Sequence, residues 1–109
     1  MKKKNRVKKH EEFQKVIRSG KKSTNHSFVL YVKEKKEEEA RIGISLSKKM
    51  GNAVKRNLIK RQVRMMCQDL IPFEKWPFDA VLIVRFGYLS NDFEHNKKNL
   101  EKLFSKATM

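Results

Sequence analysis

The sequence predicts a small domain of strands and helices packed in two layers, an α+β or α/β sandwich, and three segments carry that prediction. Ser27-Phe-Val-Leu-Tyr-Val-Lys33 is rich in β-branched and aromatic residues, as a half-buried strand is. Ala80-Val-Leu-Ile-Val-Arg-Phe86 is almost wholly apolar, the pattern of a strand covered on both faces. Between them, from Asn52 to Leu70, apolar residues recur at helical spacing.

The other elements follow in order. Residues 1–9 carry six cations and read as a flexible basic arm. A short helix is expected from His10 to Arg18, ended by Ser19-Gly20. Phe13, Val16 and Ile17 fall at i, i+3 and i+4 and share one side of it. Lys21 to Thr24 is a weakly signalled strand. After the Ser27–Lys33 strand, Glu34 to Glu39 makes a charged hairpin or loop, and Ala40 to Ser47 a further strand. Asn52 is the expected N-cap of the long helix, and Pro72 stops it. Phe73 to Pro77 reads as a loop, and Gly87 closes the last strand. Asp92 to Ala107 reads as the last helix, with Phe93, Leu100, Leu103 and Phe104 on it. No repeat or long linker divides the 109 residues, so one domain, 1–109, is expected.

Charge narrows the function. There are 27 Lys and Arg against 12 Asp and Glu, a formal net charge of +15. Most of these cations must lie at the surface, where they attract polyanions. Nucleic acid leads and an acidic membrane comes second. The membrane reading is weak, because no apolar run approaches the ~20 residues of a span. Glu11 and Glu12 follow the basic N-terminus where a signal peptide needs apolar residues, so a cytoplasmic protein is expected. A single cysteine, Cys67, fits that compartment. The charge is also clustered. From Arg41 to Gln68 there are eight basic residues and no acidic one, whereas Glu34 to Glu39 holds four glutamates and two lysines. A binding face requires such clustering; solubility does not.

On the long helix, Ile59, Val63, Met66 and Leu70 form one apolar stripe, with Val54, Leu58 and Met65 expected to flank it. Arg56, Lys60 and Arg64 follow i, i+4, i+8, beside Asn57, Arg61 and Gln68. Cations at i, i+4 destabilise a helix by ~0.2–0.5 kcal/mol per pair. No carboxylate before Asp69 relieves them, so bound phosphates are the expected counter-charge. The plainer alternative is a solvated cationic face without a partner. Charge alone does not choose RNA over DNA. A helix-turn-helix, however, needs a second short helix just before this one, and a strand stands there.

Strand alternation suggests a second surface. If Phe28, Leu30 and Val32 point to the main core with Ile42, Ile44 and Leu46, then Val29 and Tyr31 point the other way with Gly43, Ser45 and Ser47. Phe13 and Ile17 of the first helix could lie along that face, and Arg85 could reach it. Such a trough suits a single nucleic-acid strand, whose bases stack on aromatics at ~1–3 kcal/mol each. Alternatively, Phe13 and Ile17 simply seal a second small core. No catalytic or metal-ligating residue is predicted. Carboxylates do not cluster near the basic helix, and His10, His26 and His95 share no spacing and read as surface residues. Cys67 reads as a partly buried small hydrophobe, and Trp76 as a loop anchor.

The run Arg41-Ile-Gly-Ile-Ser-Leu-Ser-Lys-Lys-Met-Gly-Asn-Ala-Val-Lys-Arg-Asn-Leu-Ile-Lys-Arg-Gln-Val-Arg64 closely resembles the signature of the bacterial ribonuclease P protein subunit. Its core is the Arg-Asn-Arg-type box, here Ala53-Val54-x-Arg56-Asn57-x-x-Lys60-Arg61-x-x-Arg64. Phe13-Gln14-Lys15-Val16, Phe28-Val29-Leu30-Tyr31 and Ile83-Val84-Arg85 extend the likeness over most of residues 5–105. The resemblance implies an α+β two-layer sandwich, with a small, mostly antiparallel sheet of about four strands and three helices in the order α-β-β-β-α-β-α. It also implies a left-handed crossover around the basic helix, against the usual right-handed rule. It implies that ribonuclease P RNA binds through Lys48, Lys49, Asn52, Lys55, Arg56, Asn57, Lys60, Arg61 and Arg64. It implies that the 5′ leader of precursor tRNA lies in the groove of Phe13, Ile17, Val29, Tyr31, Ser45, Ser47 and Arg85. Catalysis would belong to the RNA subunit with its Mg²⁺, the protein binding no cofactor alone. One protein copy per RNA is implied, with neither DNA nor membrane as partner. A structural rRNA-binding protein of ribosomal type is the competing reading; an independent protein nuclease would need a site that the sequence does not supply.

Overall fold

The computed structural model describes residues 1–108. In chain order the elements are α1 (His10–Ser19), β1 (Lys21–Thr24), β2 (Phe28–Glu34), β3 (Arg41–Leu46), α2 (Ala53–Leu70), β4 (Phe78–Val84) and α3 (Phe93–Ala107). Single 3₁₀ turns lie at Lys3–Asn5, Lys48–Met50 and Phe86–Ser90. The α+β class, the element order and the helix and strand positions match the expectation to within a residue or two.

Local chemistry explains the helix ends. Glu11 and Glu12 sit in the first turn of α1, where the helix dipole favours carboxylates. Asn52 accepts the Lys55 backbone N–H at 2.9 Å, and Asp92 accepts that of His95 at 2.9 Å, so α2 and α3 each begin on a side-chain cap. Gly51 leads into α2 with φ 135°, a conformation that a side chain would strain.

The sheet order is β1-β2-β4-β3. β1 and β4 both pair antiparallel with β2, and β3 pairs parallel with β4. Of the hairpin or loop expected at Glu34 to Glu39, the loop is what forms, because β4 lies between β2 and β3; α2 is the crossover joining the parallel pair. The nearly continuous apolar run of β4 suits this central position, with Ala80, Val81, Leu82 and Val84 all buried.

α2 and α3 cover one face. Their Ile59, Val63, Met66, Leu100, Leu103 and Phe104 pack with Phe28, Leu30, Val32, Ile42, Ala80 and Leu82 in the main core. Trp76 anchors the loop before β4 as expected, edge-on to both Phe78 and Phe104. α1 lies on the opposite face against β2 and β4, adding a partial third layer to the two predicted. It buries Val16 and sets the Phe13 ring so close above Gly43 that a Cβ there would collide with it. A charged cluster pins the same helix: Arg41 on β3 bridges Glu12 on α1 and the buried Asp79 on β4.

The flexible basic arm needs correcting. Val7 donates its N–H to the Ile42 carbonyl at 3.1 Å, and Arg6 bridges to the edge of β3. Asn5 and Val7 are buried, the Asn5 amide donating to Glu39 and to the Ala40 carbonyl. The arm is thus a docked extension of the sheet edge, because Asn5 and Val7 find partners there that composition does not disclose.

Cys67 is fully rather than partly buried, and burial pushes its thiol up to about 12 from an ordinary 9.0. The folded value is the higher one, so this contribution to stability is complete below pH 9.0 and is lost as the pH climbs toward about 12. Iodoacetamide should leave Cys67 unmodified in the native protein at mildly alkaline pH and label it at once in denaturant. Labelling of the native protein at free-thiol rates would contradict the burial.

Candidate nucleic-acid interface

The rotation of α2 is set by its buried residues Ile59, Val63, Met66 and Cys67. With these facing the core, Arg56, Lys60 and Arg64 run half-buried along one flank, and Asn57, Arg61 and Gln68 stand exposed beyond them. This is the predicted basic face. Among the described residues, the five ion pairs involve none of Lys55, Arg56, Lys60, Arg61 or Arg64. The buried Nε of Arg56 has no partner. Lys48 and Lys49 are exposed on the 3₁₀ turn just before α2, which Met50 anchors in the core.

One part of the helix prediction fails. Val54, Leu58 and Met65 do not flank the core; they are exposed, on the side turned from it.

On the second sheet face, register aligns Val29, Ile83 and Ser45 in one row and Tyr31, Val81 and Gly43 in the next. Phe13 and Ser45 come together with Ile44 and Leu46 at the free edge of β3. With Lys60 of α2 and with Lys8 and His10, they line a cavity of about 310 Å³. A neighbouring cavity of about 330 Å³ is lined by Arg6, Val7, Lys8, Phe13, Ile42, Ile44 and Arg64. The two predicted surfaces therefore meet: the edge of β3 runs between Phe13 on one side and Lys60 and Arg64 on the other.

The remaining groove candidates lie apart from these cavities. Ile17, Val29 and Tyr31 are half-buried, and the Lys22 ammonium lies 5.9 Å from the centre of the Tyr31 ring. Ser47 is exposed, and its hydroxyl accepts the Lys49 N–H at 3.1 Å, capping the 3₁₀ turn. Arg85 is exposed at the end of the face and donates to the Asn25 carbonyl at 2.8 Å, which ties its head to the β1–β2 turn.

Sequence reasoning missed Arg6, Lys8, His10 and Ile83. Alternation through Val81 and Arg85 could have found Ile83. Nothing in composition signals the arm residues, whose place follows from its docking. His10, His26 and His95 are all exposed, as expected. Among the described residues, no group of three or more His, Cys, Asp or Glu is placed to hold a metal ion. Among them, too, no helix is long and apolar enough to cross a membrane.

Comparison with known proteins agrees with this architecture. Residues 1–108 match the family model described as Ribonuclease P. The chain is 46% identical over 110 residues to the ribonuclease P protein component of Bacillus velezensis, spanning 100% of this chain and 94% of that one. It is 44% identical over 104 residues to that of Mesoplasma florum, spanning 94% of each. Among solved structures, the Staphylococcus aureus RNase P protein superposes with a TM-score of 0.83 at 32% identity, over 94% of each chain. The RNase P protein from Thermotoga maritima gives 0.79 at 28% identity, over 93% of this chain and 96% of that one. A match along the whole sequence and a shared fold lead to one conclusion: this chain belongs to the ribonuclease P protein family.

Proposed function

We propose that this chain is the RNA-binding protein subunit of ribonuclease P, acting in the removal of the 5′ leader from precursor tRNA. The basic flank of α2 (Arg56, Lys60 and Arg64, with Asn52, Asn57, Arg61 and the Lys48–Lys49 turn) binds the RNA subunit. The trough beside it holds the single-stranded leader against Phe13 and Ser45. The observation that carries this reading is the meeting of the two surfaces. The cavity that holds Phe13 and Ser45 is also lined by Lys60 of the unpaired basic helix. A single strand could stack on the ring while its phosphates meet α2. Cutting the phosphodiester is the task of the RNA and the Mg²⁺ that it holds. One protein copy per RNA suffices, in the cytoplasm.

The test is reconstitution. Adding the protein to a bacterial ribonuclease P RNA at low Mg²⁺ should stimulate cleavage of precursor tRNA, and the protein alone should cleave nothing. No stimulation would remove the subunit role and favour a structural rRNA-binding protein. In the same assay, Phe13→Ala should weaken binding of leader-bearing substrate by roughly five- to a hundredfold, the range of one base–aromatic stack. Mature tRNA should bind as before; an equal loss there would argue against a leader site.

A further inference from the structure

Three of the five large apolar side chains exposed on the described surface stand on α2: Val54 at 80%, Leu58 at 47% and Met65 at 53%. They fall at i, i+4 and i+11, which at about 3.6 residues per turn lines them up in one stripe. The buried residues of the same helix occupy its opposite side. The fold itself does not need this stripe, since the solvent side of a surface helix is ordinarily polar. Asn57 and Arg61 border it on one side. Lys55 and Gln62 border it on the other, with Asp69, held by Lys97 at 3.0 Å, at its far end.

This combination selects the occupant. A surface that bound phosphates alone would gain nothing from an apolar centre. A second copy of the chain is a poor match, because each copy carries a formal charge of +15 and would set cations against cations. RNA offers both chemistries at once. Its phosphates answer the flanking Arg61 and Lys55, and its unpaired bases present flat apolar faces that single-stranded loops and bulges splay outward. Leucine and methionine side chains wedge against bases in other nucleic-acid interfaces, and a thioether packs well on an aromatic ring.

We propose that Val54, Leu58 and Met65 form a base-contacting strip on α2, seating unpaired bases of the bound RNA while the neighbouring cations hold its phosphates. The strip deepens the RNA-binding role proposed above for α2 and rests on it. It predicts that α2 distinguishes RNA segments with unstacked bases from continuous duplex.

The double variant Leu58→Gln/Met65→Gln tests this, since glutamine is a good helix former and both sites are exposed. Wild type, the double variant and Arg61→Ala are titrated with the ribonuclease P RNA at several salt concentrations. Bound RNA is also probed with dimethyl sulfate. The double variant should melt like wild type and bind roughly tenfold more weakly, the order expected for losing the partial burial of two aliphatic side chains, with an unchanged salt slope. Bases shielded by the wild type should regain reactivity. Wild-type affinity in the double variant, with Arg61→Ala impaired, would overturn the strip and leave the RNA role standing. A weakened variant with a flatter slope would also overturn it, because phosphate contacts would then account for the loss. Sedimentation covers the other occupant: if the substitutions only disperse a dimer and spare RNA affinity, the stripe joins two copies and the proposal fails. If Arg61→Ala is also without effect, α2 is not the RNA face and both readings fall together.

Discussion

Replacing Arg41 with alanine should destabilise the fold by about 3–5 kcal/mol, the cost of leaving a buried charge without its partner. The stranded charge is Asp79, 4% exposed near the start of β4 on the second sheet face. The Arg41 guanidinium reaches it with Nη2 at 2.9 Å and Nε at 3.5 Å, and turns its other nitrogen to Glu12. Hydrogen bonding to Asp79 raises the Arg41 pKa further, so the cation is always present. Without it, the only other donor to that carboxylate among the described residues is the Lys36 backbone N–H at 3.4 Å. Asp79→Ala should cost less, because Arg41 keeps Glu12 and some access to water. The paired apolar variant Arg41→Met/Asp79→Leu should be more stable than Arg41→Ala, since it buries no charge. Urea midpoints at constant m-value would rank the three. A loss below about 1 kcal/mol for Arg41→Ala would mean that water reaches Asp79. The same bridge holds α1 on β3, so loosening it should also widen the trough beside Phe13.

The second large effect concerns binding alone. Substituting Arg56, Lys60 and Arg64 together with alanine should weaken RNA binding at near-physiological salt by roughly a hundred- to a thousandfold. The salt slope should flatten by about 0.7–0.9 for each phosphate that these side chains neutralise. Stability should move little. Alanine favours the helix, and two repulsive i, i+4 pairs worth ~0.2–0.5 kcal/mol each disappear, which offsets the packing that the half-buried stems supplied. A helix that becomes no less stable as it stops binding is one whose charge serves a partner. An unchanged slope would mean that these side chains meet solvent and not phosphate.

Much of this was legible in the sequence because it depends on local periodicity. Helical spacing placed Ile59, Val63 and Met66 inward and hence Arg56, Lys60 and Arg64 on a common flank, and the Asn52 cap marked where α2 begins. Alternation sorted Phe28 and Leu30 from Val29 and Tyr31. The outward exposure of Val54, Leu58 and Met65 escapes such reasoning, because periodicity assigns an apolar helix residue to the core of its own chain.

What local pattern could not reach was decided by contacts between distant segments. The sequence by itself determined the elements, the two candidate surfaces and the charge that calls for a polyanion. The tertiary structure alone put β4 between β2 and β3, since strand order depends on which neighbours bury a doubly apolar strand. It alone docked the basic arm, through Asn5 on Ala40 and Val7 on Ile42. By setting α1 and α2 on opposite sides of the β3 edge, it brought Phe13 and Lys60 to one cavity, which no spacing along the chain encodes.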